Sequence, residues 1–294
     1  MNMPRILILG ANGMLGGSLF RYLSHSKRYE VLGAVRSENS GSQLKKQGFN
    51  NFLTGFEVLN EDKMFSYIKD FRPHFVINCV GVIKQLGVSR DPVLSIQINS
   101  LLPHKLAAIC GDIGAKLIHF STDCVFSGDV GNYNESSLPD ATDLYGRSKL
   151  LGEVSYDDHI TFRTSIIGHE INSSISLIDW FLSQTAPVKG YSKAVFSGLP
   201  TVCVAQFLDK HVLSKSLLKG LYHLSAEPID KFSLLNIVNQ IYGHQLEIED
   251  HKDFIIDRSL DSSLLRKQTG FEPLNWGEMI EKMREEYDKY FKKN

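Results

Sequence analysis

No Cys-x-x-Cys pair occurs in this chain; its four cysteines, Cys79, Cys110, Cys124 and Cys203, are scattered through apolar surroundings. That absence argues against a disulfide scaffold and against the paired thiols of a structural zinc site, and it fits reduced cysteines in a cytoplasmic protein. Cys79, Cys110 and Cys203 read as small core residues. The 10 histidines form no His-Glu-x-x-His or similar grouping, so no metal site is expected. Charge of one sign is equally scarce. With 32 basic and 33 acidic side chains, a net charge of -1 and no basic stripe, the electrostatic footprint of a nucleic-acid binder is missing. No window approaches the ~18 apolar residues of a bilayer span, so no membrane partner is expected. The apolar opening ILILG runs into a glycine-rich turn, unlike a secretory signal with its small-residue cleavage site. Repeats and low-complexity segments are also lacking. What remains is a folded chain with a small-molecule partner. Its 43% apolar and 22% charged residues are ordinary for globular proteins, and 294 residues can bury one large core or two modest ones.

The first half alternates short β-rich runs with helical segments. RILILG precedes a helix from about Met14 to Leu23; YEVLGAV, a polar helix and a weaker strand at FNNFLTG follow. After a helix through Ser66 come HFVINCV, a helix across Val93 to Cys110, KLIHFST and a helix containing Tyr145. Strands separated by helices imply parallel crossovers, and the nearly continuous apolar runs suit central strands covered on both faces. A doubly wound parallel (Rossmann) α/β sheet is therefore expected over residues 1–165. Past ITFRTS the rhythm loosens into a turn-rich span with Pro187, Gly190, Gly198 and Pro200, then a helix from Thr201 and the strand GLYHLS. Residues 166–294 are expected to form mainly a smaller substrate lobe, with some segments returning to the first domain. The ligand cleft of such a sheet lies at the carboxyl ends of its strands.

Gly10, Gly13 and Gly16 stand in a G-x-x-G-x-x-G spacing between the first strand and the first helix. Glycines there permit a tight turn and let backbone N–H groups approach a pyrophosphate at the helix N-terminus. An ordinary strand-to-helix turn is the plain alternative; position at the head of an alternating α/β chain favours a dinucleotide, with Asn12, Met14 and Leu15 in the same turn. NAD binding calls for an acidic residue about 20 positions on, at the end of the second strand. Here that strand ends in Ala34, Val35 and Arg36, and no acid precedes Glu38. Arg36 suits a 2′-phosphate, so NADPH is expected, with NADH allowed.

Tyr145 and Lys149 stand four apart, on one helix face. An ammonium beside a phenol stabilises the phenolate and is expected to bring its pKa from about 10 toward the working pH. Hydride addition to a carbonyl leaves charge on oxygen; Tyr145 would protonate it while Lys149 also holds the nicotinamide ribose. Alone, such a pair is common on surface helices. Thr122, at the carboxyl end of KLIHFST and 23 residues before Tyr145, adds a hydroxyl facing the cleft. Asn99, in SIQINSL, reads as a backbone brace or a proton relay, or as a buried structural asparagine.

With these residues in order, the chain resembles the extended short-chain dehydrogenase/reductase superfamily, and within it the dTDP-4-dehydrorhamnose reductase family. GANGMLG, VINCVG, FSTDCVFSG, LYGRSKLLGE, FRTS, SGLPT and LYHLS carry the resemblance along nearly the whole chain. It implies Thr122, Tyr145 and Lys149 as the catalytic set. It also implies that Asn78, Cys79, Val80 and Gly81 line the cofactor and that Arg163 lies near the nicotinamide or sugar. The implied activity is reduction of the 4-keto group of a nucleotide-linked 6-deoxysugar, for deoxysugar or surface polysaccharide biosynthesis.

Two stretches depart from that pattern: Cys124 stands where the family has tyrosine, and VIKQLGVSRDP replaces an acidic version. Cys124 falls where GDP-L-fucose synthase has a cysteine used as an epimerisation base, so a thiol flanking the sugar and a buried packing cysteine are both readings. His169 is a candidate partner acid. The dehydratase branch has a glutamate at the Cys124 position, and 4-epimerases prefer an acid on the second strand, which disfavours both. The regulatory β subunit of methionine adenosyltransferase also looks like this family and acts as a binding partner. Lys84, Asp123, Cys124, Val125, Arg163, Lys189, Tyr191 and Arg258 are the candidate contacts to a nucleotide sugar. A homodimer is allowed.

Overall fold

Apolar residues at consecutive positions of a strand point to opposite faces, so an all-apolar strand needs a layer on each side. The computed structural model describes residues 3–82, 91–171, 175–214 and 218–292. Strand β1 (Arg5–Leu9) shows that need: Ile6 and Ile8 enter one core, Leu7 and Leu9 the other. Helix α1 (Met14–His25), strand β2 (Glu30–Ala34), α2 (Glu38–Lys46), β3 (Phe52–Leu53), α3 (Glu61–Phe71) and β4 (Phe75–Asn78) follow. Next come α4 (Pro92–Ser95), a π-helical segment Ile96–Leu101, α5 (Leu102–Ile113) and β5 (Lys116–Thr122). A 3-10 turn Asp123–Val125, α6 (Leu144–Leu151) and β6 (Ile160–Thr164) complete the first half.

Beyond it lie β7 (Ile166–Ile167), α7 (Leu177–Leu182), β8 (Val188–Tyr191), β9 (Ala194–Phe196), β10 (Leu199–Pro200) and α8 (Thr201–Phe207). They are followed by β11 (Gly220–His223), β12 (Ile229–Asp230), α9 (Lys231–Tyr242), β13 (Ile248–His251), β14 (Ile256–Asp257), α10 (Ser263–Thr269) and α11 (Trp276–Tyr290). The span expected to be turn-rich thus holds three short strands.

Seven strands form one parallel sheet in the order β11-β6-β5-β4-β1-β2-β3, the doubly wound arrangement expected. Its order reverses between β1 and β4, which puts the cleft of such a sheet beside the glycine turn. Chain beyond residue 165 divides. β11 is an edge strand of this sheet and α8 packs on α1, while β12-β9-β14 and β13-β8 form small separate sheets. Buried Arg21 of α1 ties α11 in place by donating from Nε and Nη2 to Glu286 Oε1 at 3.1 and 2.9 Å.

One expectation needs correction. Pro92–Ile113 is a continuous helix of 22 residues, long and apolar enough in length and composition to cross a membrane. Its Leu102, Leu106, Ala107 and Cys110 are buried in a core with Leu7, Leu9, Val76 and Leu117, so its apolar face covers the sheet.

Candidate active site

The glycine turn is built by close backbone approach. Gly10 has φ +78°, and its N–H and that of Ala11 donate to the Ala34 carbonyl at 3.0 and 3.2 Å. A Cβ on Gly16 would collide with the Gly10 carbonyl oxygen, and one on Gly10 would press against Cys79 and Val80. Gly13 caps α1 without a side-chain hydrogen bond, so among the described residues the Met14 and Leu15 amides at the start of this 12-residue helix show no side-chain acceptor. A cradle of this kind, with Met14 and Leu15 opening the helix, fits a pyrophosphate. Asn12 donates from Nδ2 to Ser40 Oγ at 3.1 Å. Arg36 is exposed just past β2. Gly81 is exposed as well, whereas the Asn78 side chain is turned inward, accepting from Val80 N and contacting His119 Nδ1, both at 3.1 Å. Asn78 therefore braces the turn after β4 with its side chain.

At the carboxyl end of β5 the structure brings Thr122, Tyr145 and Lys149 together. Helix α6 begins at Asp143, which accepts from Gly146 N at 2.8 Å, and Gly146 lets the helix rest on the following turn: a Cβ there would strike the Cys124 carbonyl oxygen. Behind α6 the π segment carries Asn99, which accepts from Val82 N at 2.9 Å and donates to Val82 O at 3.1 Å and Ser148 Oγ at 3.2 Å. Gly152 ends the helix against the Asn99 carbonyl, where no Cβ fits. The brace reading of Asn99 is the one this geometry matches.

The expected tuning of the phenol by Lys149 is not what the structure contains. Lys149 is buried and donates from Nζ to the Phe120 carbonyl at 2.6 Å; burial lowers it to about 8, against the pull of Glu153 and Cys79. Burial raises the Tyr145 phenol above its ordinary value, Cys124 and Asp123 push the same way, and a hydrogen bond with Thr122 opposes them. The phenol is held protonated, the form a proton donor needs. Thr122 Oγ1 also accepts from Cys124 N at 3.1 Å and donates to Asp123 Oδ1 at 3.2 Å.

Of the candidate sugar contacts, Asp123, Cys124 and Arg258 gather beside this group. Arg258 donates from Nε to Phe126 O at 3.0 Å and points Nη1 at Cys124 Sγ, 3.6 Å away. Burial, then Asp123, pushes the Cys124 thiol up to about 12, which corrects any expectation of a lowered thiol. Asp123 is itself raised by burial. Val125 is fully buried with Phe126, Tyr133 and Leu260, so its side chain is core and not a ligand contact. Arg163 is also corrected: only 3% exposed, it donates from Nε and Nη2 to the two Glu153 oxygens at 2.8 Å each. Both His169 ring nitrogens are engaged, by Asp179 and the Tyr242 hydroxyl, which leaves no partner acid for Cys124 there. Tyr191 packs on His251 and Phe254, and Lys189 is exposed opposite Glu249; no described contact brings either to Thr122. Lys84 lies outside the described residues.

Lys231 belongs to the group and escaped the sequence reading. Burial lowers its ammonium to about 8, with Asp123 and Cys124 the nearby charges that oppose the shift. One signal was available: it opens a helix, where the positive end of the dipole favours acids.

The family model of the RmlD substrate binding domain matches residues 3–288. The chain belongs to this family. Among RmlD-type relatives, dTDP-4-dehydrorhamnose reductase of Aggregatibacter actinomycetemcomitans is 27% identical over 238 residues, 77% of this chain and 74% of that protein. Methionine adenosyltransferase 2 subunit beta of Rattus norvegicus is 31% identical over 259 residues, 79% of this chain and 71% of that protein. The crystal structure of dTDP-4-dehydrorhamnose reductase from Bacillus anthracis in complex with NADP superposes with a TM-score of 0.79 at 21% identity, covering 96% of this chain and 99% of that one. The Bordetella bronchiseptica enzyme WbmG in complex with NAD gives 0.78 at 18% identity, covering 98% and 95%. At those identities the two structures establish the RmlD-type fold, in keeping with the extended dehydrogenase/reductase resemblance.

Proposed function

We propose that this RmlD-family chain is a nicotinamide-dependent reductase, preferring NADPH with NADH allowed, that reduces the 4-keto group of a nucleotide-activated 6-deoxysugar. The carrying observation is the meeting of Thr122, Tyr145 and Lys149 at the end of β5, beside the glycine turn. A nicotinamide dinucleotide bound there supplies the hydride. The amides of Met14 and Leu15 receive its pyrophosphate, Arg36 its 2′-phosphate, and the chain at Cys79, Val80 and Gly81 borders it, while the Gly13 amide closes the turn on the Gly10 carbonyl at 3.0 Å. Tyr145 gives its phenolic proton to the carbonyl oxygen as charge develops, and Thr122 donates a hydrogen bond to the same oxygen. Proton donation of this kind is worth roughly 10²–10⁴ in rate. Lys149, fixed on the Phe120 carbonyl, keeps a positive charge at the base of the site. Asp123, Cys124 and Arg258 face the sugar.

The Cys124 thiol stays protonated near neutral pH, which favours reduction without epimerisation. Product mass analysis in deuterated water tests this: deuterium at C3 or C5 would show Cys124 or another base at work. The main test is NADPH oxidation with 4-keto-6-deoxysugars carried on dTDP, UDP, GDP and CDP; one of them is expected to turn over. No oxidation across the panel overturns the reductase reading. That outcome favours a regulatory binding subunit, the role supported by 31% identity to methionine adenosyltransferase 2 subunit beta.

A further inference from the structure

Asn78 and His119 stand in register on β4 and β5, each 1% exposed. The Asn78 amide has one orientation open to it: Oδ1 accepts from Val80 N at 3.1 Å, a backbone N–H can only donate, and so Nδ2 is the atom 3.1 Å from His119 Nδ1. Nδ2 has only protons to offer. Nδ1 is therefore the acceptor, and the neutral ring carries its proton on Nε2. Burial first, and then the Lys149 ammonium, holds the imidazole well below the usual histidine range, which keeps that acceptor free of a proton. The Nε2–H is buried and meets no acceptor among the described residues. A buried donor left in that state is destabilising and calls for a reason. The reason lies at Nδ1.

Two asparagines clasp the chain that follows β4. Asn78 holds Val80 N, and two residues on Asn99 holds Val82 by both its N and its O, at 2.9 and 3.1 Å. Each amide is fixed by one further partner: Asn99 by Ser148 of α6, between Tyr145 and Lys149, and Asn78 by His119 of β5, the strand that ends in Thr122. The clasped residues press on the glycine turn. A Cβ on Gly10 would lie 3.2 Å from the Cys79 carbonyl oxygen and 3.3 Å from Val80 Cγ2, and one on Gly16 would lie 3.1 Å from Cys79 Cβ. Without an acceptor at Nδ1 the Asn78 amide is free to rotate, and Val80 N loses its hold.

We infer that His119 is a positioning residue for the nicotinamide dinucleotide: by accepting from Asn78 it fixes the amide that holds Val80, and so seats residues 79–81 against the glycine turn. The same bond ties that stretch to the strand carrying Thr122. The inference rests on the reading that the dinucleotide lies in the glycine turn, and not on the identity of the ketone.

The test is fluorescence titration of the full chain with NADPH and with NADH, beside thermal melting without ligand. His119→Leu removes the Nδ1 acceptor and the unpartnered Nε2–H together, so its effects on folding offset. Binding of NADPH should weaken by about fivefold or more, the scale of one lost hydrogen bond, while the melting temperature stays within about 2 °C of the parent. His119→Asn, whose Oδ1 can stand where Nδ1 stood, should bind within about twofold of the parent. Nitrogen NMR of the parent near neutral pH should show a ring protonated at Nε2 alone. A leucine variant that folds and binds NADPH within about twofold of the parent overturns the inference. So does an asparagine variant as weak as the leucine one, or a parent ring protonated at Nδ1. Where the leucine variant does not fold, the asparagine variant and the ring tautomer decide. Binding that depends on His119 without turnover of any ketone sinks the reductase reading alone, and a parent that binds neither nucleotide overturns the cofactor site and the inference with it.

Discussion

Arg163→Met should cost stability rather than substrate affinity. The guanidinium and Glu153 form a two-bond pair at 2.8 Å with side-chain exposures of 4% and 8%, and the Glu153 Oε1 also accepts from Ser121 Oγ at 2.7 Å. The arginine further stacks its cation over Phe126 at 5.2 Å. Removing it strips the buried Glu153 carboxylate of its ion-pair partner and leaves it the Ser121 hydroxyl and the field of the Lys149 ammonium, a loss of about 3–5 kcal/mol for a broken buried pair. At roughly 2–4 °C per kcal/mol for a chain of this size class, the melting temperature should fall by about 10 °C. Urea unfolding and thermal melting, both without ligand, measure it. Adding Glu153→Gln should recover more than half of the loss, because the lone charge disappears with its partner. A melting temperature within about 2 °C of the parent, coupled to a raised substrate KM, would refute the structural role and return Arg163 to the binding site.

Tyr145→Phe should abolish NADPH oxidation while binding NADPH nearly as the parent does by fluorescence titration; retained activity would remove the phenol from the mechanism. Arg36→Asp should weaken NADPH far more than NADH, and equal effects on both would sink the 2′-phosphate assignment. Lys149 is held near 8 against an ordinary 10.5, so between those values the folded chain carries fewer protons on it than the unfolded chain. Its contribution to stability is unfavourable below about 8 and this penalty, about 3 kcal/mol, is relieved as pH rises toward 10.5. Chemical unfolding at pH 7.5 and 9.5 should show Lys149→Met losing part of the parent's rise in stability, and parallel pH dependences would contradict it.

The order of strands and helices was legible because it rests on period and on buried runs: HFVINCV and KLIHFST are central strands, and the glycine spacing falls in the turn after β1. Tyr145, Lys149 and Thr122 were legible for the same reason, since helix spacing and a strand end fix where they point. Short strands were not. β8, β9 and β10 hold four, three and two residues among glycines and a proline, too few for a period to emerge. The pairing of Arg163 with Glu153 needs β6 and the end of α6 to meet, which no local pattern reports. Val125 looked like part of a site because it follows Thr122 in sequence, yet the 3-10 turn points it into the core. The Lys149 ammonium went to a backbone carbonyl, a partner that every strand offers and no motif names.

The wedging of α6 has a consequence for how this chain can change its ligand. Two glycines, Gly146 against the Cys124 carbonyl and Gly152 against the Asn99 carbonyl, leave the helix no room to tilt or slide. On the proposed reading the Tyr145 phenol is therefore a fixed reference point, and descendants of this sequence would not adapt to a new sugar by moving it. On that reading a new sugar is met instead by the opposite wall, where Arg258, the residue after β14, reaches the Cys124 thiol with Nη1. If the proposed function holds, substrate range and chemistry are written on separate parts of one chain, and the former can drift while the latter stands still.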